Sequence, residues 1–218
     1  MITSIGSSLM MKDCIFRDIH NPQVAPFIAL SISPSAILPE NLIHNVTFEN
    51  IKVRYQLINF DDTILTVSNS TFRNITRIWD NNTPTNNDLE YIDIINGVAI
   101  TAGLDGDLIV SNSTFTDIGS HCIVANRARV RVFNSTFDNT NYESERKIPS
   151  AIDKYWGVSW IKIISSSLDV VDGFIHIIQG NTFLTNKIQP LSGGVRVIFL
   201  VLTPSNIEVC RYNIVIEK

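Results

Sequence analysis

Asp61 and Asp62 form an adjacent pair of carboxylates, the residue type that cleaves glycosidic bonds when two acids stand about 5 to 9.5 Å apart. The stretch Gly119-Ser-His-Cys-Ile-Val-Ala125 offers His121 as a general base, although a lone histidine at a strand end more often bonds a turn. His20, His44 and His176 are scattered and show no metal-ligand spacing, and no Cys-x-x-Cys pair exists. Gly103-Leu-Asp-Gly-Asp-Leu108 resembles a calcium loop only superficially. Asp105 and Asp107 are two carboxylates where calcium takes six to eight oxygens, and Gly with Asp is ordinary turn chemistry. The densest signal is for modification. Asn45, Asn69, Asn74, Asn81, Asn112 and Asn134 each open an Asn-x-Ser/Thr sequon.

Four of those asparagines share one column of a repeat. Leu65-Thr-Val-Ser-Asn-Ser-Thr-Phe-Arg-Asn-Ile75 returns almost unchanged as Leu108-Ile-Val-Ser-Asn-Ser-Thr-Phe-Thr-Asp-Ile118, with further copies on Phe16, Phe48, Phe137 and Phe183. Five residues before each phenylalanine stands an apolar residue: Met11, Ile43, Val67, Val110, Val132 or Ile178. Three before stands Asp13, Asn45, Asn69, Asn112, Asn134 or Gly180, a set of turn formers. Leu65 and Val67 alternate with Thr66 and Ser68, the period of two that turns one strand face inward. Asn69 then breaks the strand, Thr71-Phe72 resumes it with Phe72 inward, and Asn74 turns the chain again. Such short strands bury little alone, so the copies must stack.

Phe48 and Phe72 are 24 residues apart and Phe115 and Phe137 are 22 apart, while the 43 and 46 residues of two other intervals are close to double turns. Periods of this size mark solenoids. Leucine-rich and propeller signatures are absent, and a parallel β-helix fits. The motif resembles the right-handed parallel β-helix of the pectin-lyase-like superfamily, especially its non-enzymatic surface-protein repeats, from Leu9 to about Asn186. The resemblance implies stacked inward ladders, with Phe16, Phe48, Phe72, Phe115, Phe137 and Phe183 as the aromatic rungs. The polysaccharide-cleaving members carry Gly-Asp-Asp-Cys-Ile-Ala where this chain has Gly119-Ser-His-Cys-Ile-Val, so both carboxylates are replaced. Asp61-Asp62 lacks an acidic partner in a matching column. Neither the arginine base nor the acidic calcium cluster of the lyases is found.

The totals agree with a scaffold. At 218 residues a solenoid forms one continuous unit, 1–218, and 44% hydrophobic with 17% charged residues suits a long core under a polar, uncharged surface. A formal net charge of −4 without a basic patch disfavours nucleic acid. Cys14, Cys122 and Cys210 read as buried free thiols, with Cys122 following a strand. The longest apolar run, Val197-Ile-Phe-Leu-Val-Leu202, is too short for a membrane helix and reads as a buried strand. Met1 to Met11 has no secretory-signal pattern, which points to an intracellular protein or to an internal piece of a longer one; the uncapped repeat at Leu9 favours the piece.

Between the copies, Asn21 to Glu40 carries four prolines around Phe27-Ile-Ala-Leu-Ser-Ile32, and Ile51 to Asp61 holds the remaining strands of a second coil. Loop insertions are expected near 79–90 and 141–154, the flank where solenoids often bind, and a weak seventh copy is expected at Ile207, Val209 and Ile214. Trp156 to Val171 resumes strands, with Leu168 of ambiguous phase, and helix is expected to be scarce.

The sequence therefore predicts an all-β, right-handed parallel β-helix of about seven to nine coils. Its expected role is non-catalytic, structural or adhesive, at the cell surface or outside the cell. It needs no cofactor or metal. Its partners are copies of itself or flanking coils at the uncapped ends, and carbohydrate is a further class. A polysaccharide-binding or polysaccharide-cleaving β-helix, with its site on the inserted loops, is the alternative; a scaffold subunit of an intracellular assembly is the second. Stacked asparagines could instead turn inward and be hidden from glycosylation. If the protein is secreted, at least one sequon should carry sugar, with Thr83-Pro84 lowering the odds at Asn81, and with Asn69 and Asn74 too close for both to do so.

Overall fold

The structure, a computed structural model, describes residues 1–23, 25–31, 40–78, 98–140, 159–164, 176–184, 196–201 and 215–216. Both expected loops, Asn81, Leu168, Cys210 and the seventh copy at Ile207, Val209 and Ile214 lie outside these residues. The described residues form strands, turns and bends without helix. Strands follow one another in triplets. These are β1 (Ile2–Ile5), β2 (Met10–Lys12), β3 (Ile15–Asn21); then β4 (Ile28–Ser31), β5 (Glu40–His44), β6 (Thr47–Val53). Next come β7 (Ile58–Phe60), β8 (Ile64–Ser68), β9 (Thr71–Arg77), and β10 (Ile100–Ala102), β11 (Asp107–Ser111), β12 (Thr114–Ile118). The series continues with β13 (Ile123–Asn126), β14 (Arg129–Phe133), β15 (Thr136–Thr140), and β16 (Ser159–Ile164), β17 (Ile177–Gln179), β18 (Thr182–Leu184). β19 (Arg196–Val201) and β20 (Val215–Ile216) complete it.

Each member of a triplet joins a different parallel sheet. Sheet A runs β1-β4-β7-β10-β13-β16-β19, sheet B runs β2-β5-β8-β11-β14-β17, and sheet C runs β3-β6-β9-β12-β15-β18-β20. Every turn thus lies on the previous one, which is the stacked parallel architecture that the repeat predicts, but the 43- and 46-residue intervals are single turns and not double ones, since Phe72 pairs directly with Phe115 and Phe137 with Phe183. The register places like on like: Val67 pairs with Ile43 and Val110, and Phe72 with Phe48 and Phe115.

The six phenylalanines form one continuous stack. Centroid distances run 5.3, 5.1, 4.7, 4.9 and 5.1 Å from Phe16 through Phe48, Phe72, Phe115 and Phe137 to Phe183, with ring planes within 19° of parallel. The spacing is that of neighbouring strands. Sheet A contributes a second ladder that the repeat motif does not contain: Ile28, Ile58, Ile100, Ile123 and Ile161, all fully buried. The expected second coil also divides differently. Ile51 to Val53 closes β6, whereas Ile58 to Phe60 opens the next triplet as β7.

Two columns of left-handed residues shape the corners. Asp13, Asn45, Asn69, Asn112 and Asn134 have φ between 47° and 54°, and Gly180 has 67°. They turn the chain from sheet B to sheet C, as expected. The second column differs from expectation. Asp18, Asn50 and Asn74 are also left-handed, yet β3, β6 and β9 run straight through them for seven residues each. Register passes from Glu49↔Arg73 directly to Ile51↔Ile75 with one left-handed residue skipped in each strand, so these residues form a shared kink that re-aims the strand instead of ending it.

Candidate functional site

Behind the first asparagine column runs a buried hydrogen-bond ladder. Ser70, Ser113 and Ser135, two residues before their phenylalanines, donate through Oγ to the carbonyls of Ser68, Ser111 and Phe133 at 2.8 to 2.9 Å. Each Oγ also accepts the N–H of the turn before it: Val46 onto Ser70, Ser70 onto Ser113, Ser113 onto Ser135, each at 3.2 Å. Asn181 continues the ladder, its Oδ1 accepting from Ser135 N–H at 2.8 Å while its Nδ2 donates to Val132 O. Cys14 holds the same position at the other end, its thiol donating to Lys12 O. The ladder satisfies backbone groups that the B–C corner would otherwise leave buried and unpaired.

The asparagines themselves stand outside it. Asn45, Asn69, Asn112 and Asn134 are exposed on successive turns, and Asn74 is exposed on the second left-handed column. The inward alternative is therefore overturned: a left-handed corner residue points its side chain away from the core. Some bond along the stack, Asn45 Nδ2 donating to Asp13 Oδ1 at 2.6 Å and Asn74 Nδ2 to Asn50 Oδ1 at 2.9 Å. The sequon threonines Thr47, Thr71, Thr114 and Thr136 line up in register on the outer face of sheet C.

The acid–base candidates are dispersed. Asp61 lies at the A–B corner, its Oδ2 accepting from Asn59 at 3.1 Å and its Oδ1 pressed over Gly103, where an added Cβ would sit 1.6 Å away. Burial, opposed by the Asn59 bond and reinforced by the Asp62 charge, raises its pKa above the ordinary 3.8. His121 is buried at 5% exposure, and its backbone carbonyl accepts from Ala99 N–H. Cys122 is fully buried and free; it lies just before β13 instead of after a strand, and burial pushes its thiol well above the usual range. Cys14 is free as well but only half-buried.

Three arrangements escaped the sequence. Asp107 Oδ2 accepts from Arg131 at 2.7 Å and Arg129 at 3.2 Å, pairing charges of adjacent strands, while Oδ1 is buried without a hydrogen-bond partner among the described residues. Its signal was the opposite charge one turn further on. Asn41 occupies an inward position, with Leu65 next in its column, and bonds across turns to Leu9 N–H, Thr63 Oγ1 and Ile64 O at 2.8 to 3.2 Å. His176 Nδ1 accepts from Val130 N–H at 3.3 Å, and burial, helped by Arg129, lowers its pKa.

Among the described residues no group of three or more His, Cys, Asp or Glu is placed to hold a metal ion, and no helix is long and apolar enough to cross a membrane. No protein-family model matches the chain, and no curated protein matches it.

Proposed function

We propose that the chain is a right-handed parallel β-helix of about seven to nine coils, of the pectin-lyase-like kind, serving as a non-catalytic structural or adhesive element outside the cell and carrying N-linked glycan. Right-handed crossovers between parallel strands are the rule, since a right-twisted strand returns to its sheet most easily that way. The observation that carries the functional reading is the direction of the polar side chains. Five sequon asparagines stand exposed along two rails of the solenoid, while the serine ladder, Asn41 and Asp107 are engaged in joining turn to turn. Such a surface offers attachment points and lateral contact, and the stacked core supplies stiffness.

Intact mass of the protein from its native source, before and after enzymatic deglycosylation, tests the reading. A loss of one or more glycan masses that maps to Asn45, Asn69, Asn74, Asn112 or Asn134 is expected. An unchanged mass overturns the extracellular glycoprotein and favours the intracellular scaffold. Release of reducing or unsaturated ends from pectic polysaccharide by the purified chain would overturn the non-catalytic role.

A further inference from the structure

We propose that the first asparagine column spaces its own glycans: in the folded molecule no two neighbouring members of Asn45, Asn69, Asn112 and Asn134 carry sugar together, so that only alternate turns are modified. The inference deepens the glycoprotein reading and rests on it.

Neighbours on this column are one strand apart, whatever their distance in sequence. Each corner residue donates its backbone N–H to the carbonyl just before the next corner: Asn45 to Ser68, Asn69 to Ser111 and Asn112 to Phe133, each at 3.1 Å. The flanking columns hold register, Ser68↔Ser111↔Phe133 on sheet B and Thr71↔Thr114↔Thr136 on sheet C. Inside the same turns, Phe72 and Phe115 are 4.7 Å apart, and Phe115 and Phe137 are 4.9 Å apart. Attachment points at Asn69 and Asn112 are therefore separated by about 4.8 Å, one strand spacing.

The roots of the sugars do not diverge. At the four corners φ is 54°, 50°, 49° and 47°, so the side chains leave the solenoid in one direction. Transfer breaks the bond between C1 of a lipid-pyrophosphate oligosaccharide and its phosphate oxygen. It forms a bond from C1 to Nδ2 and releases one Nδ2 proton together with the lipid pyrophosphate. The first sugar then carries an N-acetyl arm beside the linkage and the rest of a branched chain at its far end. Two parallel roots of that width, one strand apart, compete for the same space. A root two turns away, at about 9.5 Å, clears it.

The order of events turns this conflict into selection. Sugar is added while the chain is being made, when 24, 43 and 22 residues separate the four asparagines and none obstructs another. The clash arises only as the turns stack. A chain modified at both Asn69 and Asn112 cannot seat the two corners, whose turns are joined beneath by the bond from Ser70 N–H to Ser113 Oγ. Such chains stay with the unfolded pool, and the folded, secreted molecules are the spaced ones.

The test directs the full chain into the secretory pathway of a eukaryotic cell, with Asn74→Gly and Asn81→Gln so that the corner sequons alone report. Asn45→Gly with Asn134→Gly leaves the neighbours Asn69 and Asn112. Asn45→Gly with Asn112→Gly leaves Asn69 and Asn134, two turns apart. Glycine suits these corners, as Gly180 shows with φ 67°. Intact mass of the secreted, protease-resistant protein should stop at one glycan for the first form and reach two for the second. The form that keeps all four corners should also stop at two, which reads the same limit without any glycine corner. Two glycans on the folded first form, three or more on the four-corner form, a limit of one on every form, or no sugar on any would each overturn the proposal. The two readings fail separately. An unchanged native-source mass on deglycosylation removes the glycoprotein reading, whereas double occupancy of neighbouring corners removes only the spacing.

Discussion

Phe72 and Phe115 lie ring over ring with centroids 4.7 Å apart and planes 3° from parallel, although 43 residues of chain separate them. Neither ring touches water, and the register that aligns them is held on both sides by Thr71↔Thr114 and Ile75↔Ile118. Offset aromatic pairs contribute about 0.5–1.5 kcal/mol beyond their area, and an interior ring of this stack makes two. Phe115→Ala should therefore cost roughly 3–5 kcal/mol, as a truncated buried aromatic does. Ser111→Ala, on the outward face of β11, should stay within about 0.5 kcal/mol. Chemical unfolding of the two variants side by side checks the inward assignment, which equal losses would contradict.

Ser113→Ala separates the polar ladder from the apolar one. Its Oγ both donates to Ser111 O and accepts from Ser70 N–H, so removal strands a buried donor and should cost about 1–3 kcal/mol with the phenylalanine stack intact. Hydrogen exchange at the Ser70 amide is the local readout, and faster exchange there is expected.

Asn112 combines a sequon with φ 49°. An alanine at such an angle costs roughly 1–2 kcal/mol, whereas glycine adopts it freely, as Gly180 does at the equivalent corner. Asn112→Gly should be more stable than Asn112→Ala by about that amount. If the two variants unfold alike, the corner does not depend on a left-handed residue. The glycine variant is also the better one for removing the sequon without disturbing the turn.

Two titrating groups act in opposite senses. Burial, then Arg129, lowers the folded pKa of His176, so the unfolded chain binds more protons just below its own value of about 6.5. The contribution of this residue is complete above about 6.5 and is lost as pH falls towards the folded value. Asp61 is raised in the fold, chiefly by burial. Its contribution is present below 3.8 and lost as pH rises through the folded value. Denaturant midpoints between about pH 5 and 8 should fall on acidification for the parent chain and fall less for His176→Gln. Parallel curves would mean that His176 is not buried in its neutral form.

Legibility followed corner length. Met11 and Phe16 are five residues apart, and so are their counterparts in every copy, because a single left-handed residue makes the B–C corner. That constancy exposed the phenylalanine column, the strand pair and the asparagine rail. The isoleucine ladder of sheet A lies behind a corner of no fixed length. Ile28 follows Phe16 by 12 residues, Ile58 follows Phe48 by 10, Ile100 follows Phe72 by 28, and Ile123 follows Phe115 by 8. No period survives such variation, so the alignment of these strands into one ladder and all of β1 stayed hidden. Asp107 with Arg129 and Arg131, and Asn41 with Thr63, were illegible for another reason. Their partners sit 22 to 24 positions away, and only the register identifies them as neighbours.

Between consecutive members of the serine ladder the chain travels 24, 43, 22 or 46 residues, yet the rungs remain one strand apart. Length along the sequence and height along the axis are therefore independent quantities. New segments can be grafted at the C–A corner without retuning the interior, whereas one residue added between Val110 and Phe115 would throw a whole rung out of phase. The molecule has one side open to elaboration and one side closed to it.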